Sequence, residues 1–232
     1  MSETPAILLV HGAWHGAWCW ELVEPLLRAA GREVHAIDLP SVHAARKERL
    51  GLADDAAAVR TAIEAIDGPV VVVAHSYGGA PVTVAAADLP NVRHIVYISA
   101  FALDAGESLL GAVGGVPPSW WVIDGDLVRA GTAAEPPEAL FFGDVAPEVA
   151  AAAVARLTSQ SIRPFREELT AAAWRTVPST YVVTERDGAT PVPAQEGIAA
   201  RAGSTVVRMD TSHSPFLSQP EATAELILAA GR

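Results

Sequence analysis

The sequence predicts an α/β protein built on a mostly parallel, doubly wound sheet. Three observations predict it. Short β-branched runs alternate with Ala-rich helical stretches. The runs are nearly continuous in apolar character, as strands covered on both faces should be. The chain has 232 residues, half of them hydrophobic and 19% charged, which is enough to bury the core of one domain.

Taken in order, Ile7–Val10, Val34–Ile37, Val70–Ala74, His94–Ser99, Thr180–Thr184 and Thr205–Met209 read as strands. Leu22–Ala30, Leu52–Ile66, Gly79–Ala87, Pro193–Ala202 and Glu221–Ala230 read as the helices between them. Ala53, Ala57, Ile63 and Ile66 predict the buried stripe of the second helix. The alternation breaks between Phe101 and Thr176, a stretch rich in Gly, Pro and aromatic pairs. It holds helix candidates at Pro147–Leu157 and Pro164–Trp174. The expected organisation is one domain over residues 1–232, with residues 101–176 as a cap inserted over a site. The one internal repeat is local: His11-Gly12-Ala13-Trp14 is followed at once by His15-Gly16-Ala17-Trp18.

Composition excludes several classes of function. A formal net charge of −11 argues against nucleic acid as a partner, since a duplex-binding protein normally carries a basic face. The lone Cys19 can form neither an internal disulfide nor a structural zinc site. No apolar run approaches the roughly 18–20 residues of a membrane span. The first residues, Met1 to Val10, have neither the basic start nor the apolar length of a secretory signal, so a cytoplasmic location is expected. The oligomeric state is not legible.

The most informative segment is Val70 to Gly79, a buried strand followed by His75-Ser76-Tyr77-Gly78-Gly79 and a helix. A small-x-Ser-x-Gly turn of this kind holds a serine above the sheet edge on a strained backbone. Ala74 stands where glycine is usual, one methyl group larger. Capping a helix is the bland role for Ser76. The strand in front and the two glycines behind favour a nucleophile.

A nucleophilic serine needs a base and an orienter, in the chain order serine, acid, histidine. His213 follows the last strand and Asp187 the one before it, both at the strand edge that carries Ser76. Asp104 competes with Asp187, because it follows the strand ending at Ser99. Asp210 is too near His213 in sequence to approach it from a separate loop. Oxyanion donors are expected from the N–H of Tyr77 and, in the loop after the first strand, of Ala13. His11 and His15 lack the third ligand and the helix that a metal pair would need, and no dinucleotide fingerprint follows the first strand. No metal and no other cofactor is expected.

Several stretches together resemble the α/β-hydrolase family of plant methylesterases and hydroxynitrile lyases, with its bacterial esterase relatives. They are Leu8 to Trp20, Ala36-Ile37-Asp38-Leu39-Pro40, His75 to Gly79, Ile98 to Phe101, and Thr184 to Asp187 with Gln195 and His213 beyond. The resemblance implies the α/β-hydrolase fold, with a helical cap inserted after the sixth strand. It implies Ser76 as nucleophile, His213 as base, Asp187 as orienter, and Ala13 and Tyr77 as oxyanion donors, and it demotes Asp104. The family's lyases carry Thr where Gly12 stands and Lys where Ser214 stands. Gly12 would leave room for a carbonyl, so ester hydrolysis is favoured over cyanohydrin cleavage.

The expected function is a serine carboxylic-ester hydrolase for small, neutral, apolar esters, with a rate that rises with pH through roughly 6–7.5. Gly12, Trp14, Trp120, Trp121, Phe141 and Phe142 are the expected substrate-binding residues, with Leu109 and Leu110 in support. Between Phe101 and Ser161 the basic residues are Arg129 and Arg156, too few to hold a bound anion. Lactone hydrolysis or lyase-like C–C cleavage on the same site is the alternative. From another class, so is a non-catalytic small-molecule binder.

Overall fold

A computed structural model describes residues 4–230. Residues 1–3 and 231–232 lie outside the described part, and with them the ends of the expected domain and of the N-terminal reading. Nine strands are described: β1 Ala6–Val10, β2 Val34–Ile37, β3 Val70–His75, β4 Val92–Ile98, β5 Trp121–Asp124, β6 Leu127–Ala130, β7 Gln160–Ser161, β8 Ser179–Thr184 and β9 Thr205–Met209. The helices before the insertion are α1 Glu24–Ala29, α2 Pro40–His43, α3 Leu52–Glu64 and α4 Gly79–Ala85. Those within it are α5 Leu109–Ala112, α6 Pro137–Phe141, α7 Pro147–Val154 and α8 Arg163–Arg166. After it come α9 Val192–Ala202, α10 Pro215–Ser218 and α11 Pro220–Ala229.

Six strands form the main sheet in the order β2-β1-β3-β4-β8-β9, and every pairing in it is parallel. Val70 to Val73 of β3 are fully buried. Each such valine contributes about 1.5–3 kcal/mol relative to an exposed one. The edge strand β9 keeps Val206 exposed, as a strand with one neighbour can. The long central runs therefore read as strands because both of their faces are covered.

The insertion departs from expectation in three ways. It follows β4, the fourth strand of the chain, rather than a sixth; two main-sheet strands come after it. It is not purely helical, for β5, β6 and β7 make a three-stranded antiparallel sheet. Gly125 at φ 58° lies in the two-residue turn between Asp124 and Leu127, which are paired. Gly125-Asp126 as the two turn residues between apolar runs is a hairpin signal. Third, no helix spans Pro164–Trp174. The chain turns extended at Glu167, whose Oε2 instead accepts the N–H of Leu52 at 2.7 Å and so ties the insertion to the start of α3.

Helix α3 also differs. Its buried face is Leu52, Asp55, Ala56, Val59 and Ile63, while Ala53 and Ala57 are exposed. Leucine and valine bury more apolar area than alanine and decide the rotation. That rotation turns a carboxylate, Asp55, into the core.

Candidate active site

The sheet order reverses direction at β1 and β3, since β2 lies beyond β1 on one side and β4 beyond β3 on the other. Such a switch point opens a crevice outside the carboxyl ends of the strands. Ser76 leaves β3 into that crevice at φ 51°, a left-handed conformation that is strained for a residue with a Cβ. The turn is tight because Gly78 allows it: a Cβ there would lie 2.5 Å from the carbonyl oxygen of His11. The carbonyl of Ser76 accepts the N–H of Phe101 at 3.1 Å, which fixes the turn from the β4 side.

His213 sits in the loop after β9, and its Nδ1 donates to Asp187 Oδ2 at 2.7 Å. Both side chains are buried. Asp187 Oδ2 also accepts from Thr184 Oγ1 (2.8 Å) and Gln195 Nε2 (3.2 Å). Asp187 Oδ1 accepts the N–H groups of Ala189 and Thr190, each at 2.8 Å. The carboxylate is thus held on both oxygens, and the imidazole is left with Nε2 as its basic nitrogen. Ser76 and His213 meet in the wall of one cavity. Among the described residues no direct hydrogen bond joins them, and such contacts are often loose in an unliganded site.

The rival carboxylates are elsewhere. Asp104 pairs with Arg175 through both of its oxygens. Asp210 is exposed and pairs with Arg186 at 2.7 Å.

The loop after β1 supplies Ala13 and Trp14 to the same cavity, and Tyr77 enters it from the turn. Among the described residues, no hydrogen bond within the protein engages the N–H of Ala13 or of Tyr77. The loop itself is heavily pinned. His11 Nδ1 donates to the Gly12 carbonyl at 2.7 Å while its Nε2 accepts the N–H of Leu39 at 3.0 Å. His15 Nδ1 donates to the Ala13 carbonyl at 2.7 Å. Burial lowers His11 to about 4 and His15 to about 3, and holds His75 well below the usual histidine range. These three rings are neutral structural groups near neutral pH. Ligand-type atoms of His11, Asp38 and His43 lie within 4.8 Å of one another. They are already engaged by the Gly12 and His15 carbonyls and the N–H groups of Leu39 and Ala17. Only the first copy of the local repeat reaches the cavity. The second forms a short 3-10 turn, with Trp18 stacked on His15.

The cavity has a volume of about 40 Å³. Trp14, Trp120, Trp121 and Phe141 line it as expected, and Leu109 joins them. Trp14 is the hub, with ring centroids 5.5–5.9 Å from those of Trp120, Trp121, Phe141 and Phe165. Among the described residues, no Asp, Glu, Lys or Arg side chain is in the wall. Phe165, Phe101, Val113 and Pro118 also line it and were not expected. Val113 and Pro118 flank the Gly114-Gly115 and Pro117 turn residues that break the helical pattern, a signal that could point to them, but nothing in the sequence marks Phe165.

Three expected residues do not reach the cavity. Phe142 packs behind Phe141 and against His15, at 5.9 and 5.8 Å. Gly12 lies under the turn: a Cβ on it would come 2.7 Å from His75 Nδ1 and 2.9 Å from Ser76 Cβ. The room that glycine leaves is filled by the His75 ring and the serine itself, not kept for a carbonyl. Leu110 is likewise absent from the wall.

The sequence pattern of the alpha/beta hydrolase family matches residues 7–226. The chain is similar to an alpha/beta hydrolase of Aspergillus novofumigatus, 29% identical over 96% of this chain and 95% of the relative. It is similar to methylesterase 9 of Arabidopsis thaliana, 38% identical over 42% of this chain and 40% of the relative. Among solved structures it resembles a pyrethroid hydrolase from Sphingobium faniae, with TM-score 0.81, 25% identity, and coverage of 96% of this chain and 95% of that one. With the family pattern matched along nearly its whole length, this chain belongs to the alpha/beta hydrolase family of enzymes.

Proposed function

We propose that the protein is a serine carboxylic-ester hydrolase for small, neutral, apolar esters. The observation that carries this reading is one apolar cavity shared by a strained serine and a carboxylate-oriented histidine. In this reading His213 Nε2 takes the proton of Ser76 Oγ as that oxygen attacks the ester carbonyl. Asp187 keeps the proton on Nδ1 and stabilises the imidazolium that forms. The N–H groups of Ala13 and Tyr77 receive the negative oxygen. As the tetrahedral intermediate collapses, His213 gives its proton to the departing alcohol. Water then repeats the sequence on the acyl-enzyme, with His213 as base again.

Residues 101–176 act as the cap that excludes water and sets the substrate. The wall supports a neutral substrate, because a bound carboxylate would lose hydration with no cation to replace it. Phe101, Val113, Ala189 and Thr190 belong both to the cavity and to an outer groove of about 610 Å³. Ala189 and Thr190 lie beside the Asp187–His213 pair, so the departing alcohol is assigned to the groove and the acyl group to the aromatic cavity. The test is hydrolysis of p-nitrophenyl acetate by the native protein and by Ser76→Ala. Loss of at least about three powers of ten supports the reading. A folded variant that keeps more than a few per cent of the rate overturns it.

A further inference from the structure

A chain of buried hydrogen bonds connects the two sides of the proposed oxyanion hole. The hydroxyl of Tyr77 donates to Asp55 Oδ2 at 2.5 Å. The same oxygen accepts from Ser41 Oγ at 2.6 Å, and Asp55 Oδ1 accepts the N–H of Ser41 at 2.8 Å. Ser41 Oγ in turn accepts from Gln160 Nε2 at 3.0 Å. Gln160 Oε1 accepts the N–H of Trp14 at 3.2 Å. Every proton has one donor and one acceptor along this path. Ser41, Asp55 and Gln160 are fully buried, and Tyr77 is 1% exposed.

The placement is specific. Tyr77 carries one proposed oxyanion donor on its own backbone, and its ring is tethered at the far end by Asp55. Trp14 is the residue after Ala13, which carries the other. The tether therefore runs from the turn after β3, through α3 and α2, to β7 of the insertion and back to the loop after β1. No other hydrogen bond to the Tyr77 hydroxyl or the Trp14 N–H competes with it among the described residues. Among those residues no Lys or Arg pairs with Asp55 either, so it is a buried acid without a counter-ion. Such a group is costly. Burial pushes its carboxyl up and the Ser41 and Tyr77 donors pull it back. An acceptor-only group is what three converging donors require.

We propose that Asp55 is a positioning residue that sets the separation of the Ala13 and Tyr77 N–H groups. The proposal rests on the reading of Ser76 as nucleophile and of those two groups as oxyanion donors. An oxyanion hole works when its donors sit about 2.7–3.1 Å from the developing charge, so a small displacement is expensive in rate. The competing role is purely structural: Asp55 would only fasten α3 to the core. A fastening role lowers stability and leaves the folded enzyme's turnover alone.

The experiment compares Tyr77→Phe, Gln160→Leu and Asp55→Asn with the native enzyme. The readouts are kcat and KM on p-nitrophenyl acetate, inhibition by phenylboronic acid, and Tm. Phenylboronic acid adds to a nucleophilic serine as a tetrahedral adduct and so reports on the hole. The expected result is a kcat lower by about 10–100-fold with KM changed less than about threefold; deleting a whole donor costs about 10²–10³. The inhibition constant for phenylboronic acid should rise in step with the loss in kcat. Tyr77→Phe keeps the ring and decides the question if Asp55→Asn does not fold. A folded Tyr77→Phe with kcat and boronate inhibition within twofold of native, whatever its Tm, overturns the proposal, as does a change confined to KM. If instead Ser76→Ala retains the activity, the nucleophile reading has failed, and that result is distinct from either.

Discussion

His75 donates its Nε2–H to the main-chain carbonyl of His213 at 2.9 Å. A carbonyl can only accept, so Nε2 carries a proton; burial holds the ring neutral, and among the described residues its Nδ1, which faces Gly12, has no hydrogen-bond partner. The residue before the proposed nucleophile thus holds the backbone of the proposed base. The two rings lie 4.6 Å apart, and neither loop can shift without the other.

His75→Phe tests this coupling. It keeps a ring in the buried space and removes the donor. One lost hydrogen bond is worth about 0.5–1.5 kcal/mol, up to about tenfold in rate if all of it falls on His213 alignment. The variant should fold, lose a few degrees of Tm, and show a several-fold lower kcat on p-nitrophenyl acetate. Unchanged kcat with a lowered Tm would make the bond structural only.

The wall of the cavity predicts selectivity by charge. Two aryl esters of matched size, one carrying a free carboxylate on its acyl group, should differ in kcat/KM by at least about tenfold in favour of the neutral one. Each methylene buried in the cavity is worth about 0.8 kcal/mol, near fourfold, whereas the carboxylate loses water without a partner. Arg163 and Arg166, the first basic residues beyond Ser161, are the cations that could reverse this. Neither is in the wall, and Arg163 pairs with Glu167. A faster anionic ester would contradict the neutral-substrate reading.

The buried histidines predict acid sensitivity. An unfolded histidine titrates near 6.5. In the folded protein His11 is lowered to about 4 and His15 to about 3, and His75 shifts the same way. Protons therefore bind the unfolded chain more tightly. Stability is complete above about 6.5, falls as pH drops below it, and levels off once the folded values are passed. Each of the three contributes up to about 1.4 kcal/mol per pH unit inside that window. The urea midpoint should fall steeply between pH 7 and pH 5. A midpoint that is flat or rises over that range would contradict neutral burial of these rings.

What was legible in the sequence is what local chemistry dictates. Val70 to Val73 could only be a covered strand, and Ser76 with Gly78 and Gly79 behind it could only turn sharply. The order of Asp187 and His213 along the chain matched the order of their strands, and the structure brings them to 2.7 Å. What was not legible depends on neighbours distant in sequence. Gly12 reads as space for substrate until His75, 63 positions later, is seen filling it. Asp55 reads as one of two acids in the first turn of a helix, because nothing near it announces Ser41 and Tyr77 as donors. Phe165 is one aromatic between two arginines, and it lines the cavity from the short helix Arg163–Arg166, packed on Trp14 and Trp121, residues distant in sequence. The stretch from Pro164 to Trp174 has a helical composition, but the Glu167 side chain finds a better partner in the N–H of Leu52.

The most direct test of the central claim is covalent labelling with a p-nitrophenyl phosphonate, read by intact mass and peptide mapping. A serine activated by His213 should take one phosphonate per chain, at Ser76, with activity lost in proportion to labelling, and Ser76→Ala should take none. An unlabelled native enzyme that still hydrolyses esters, or a label mapped to another residue, would contradict the account.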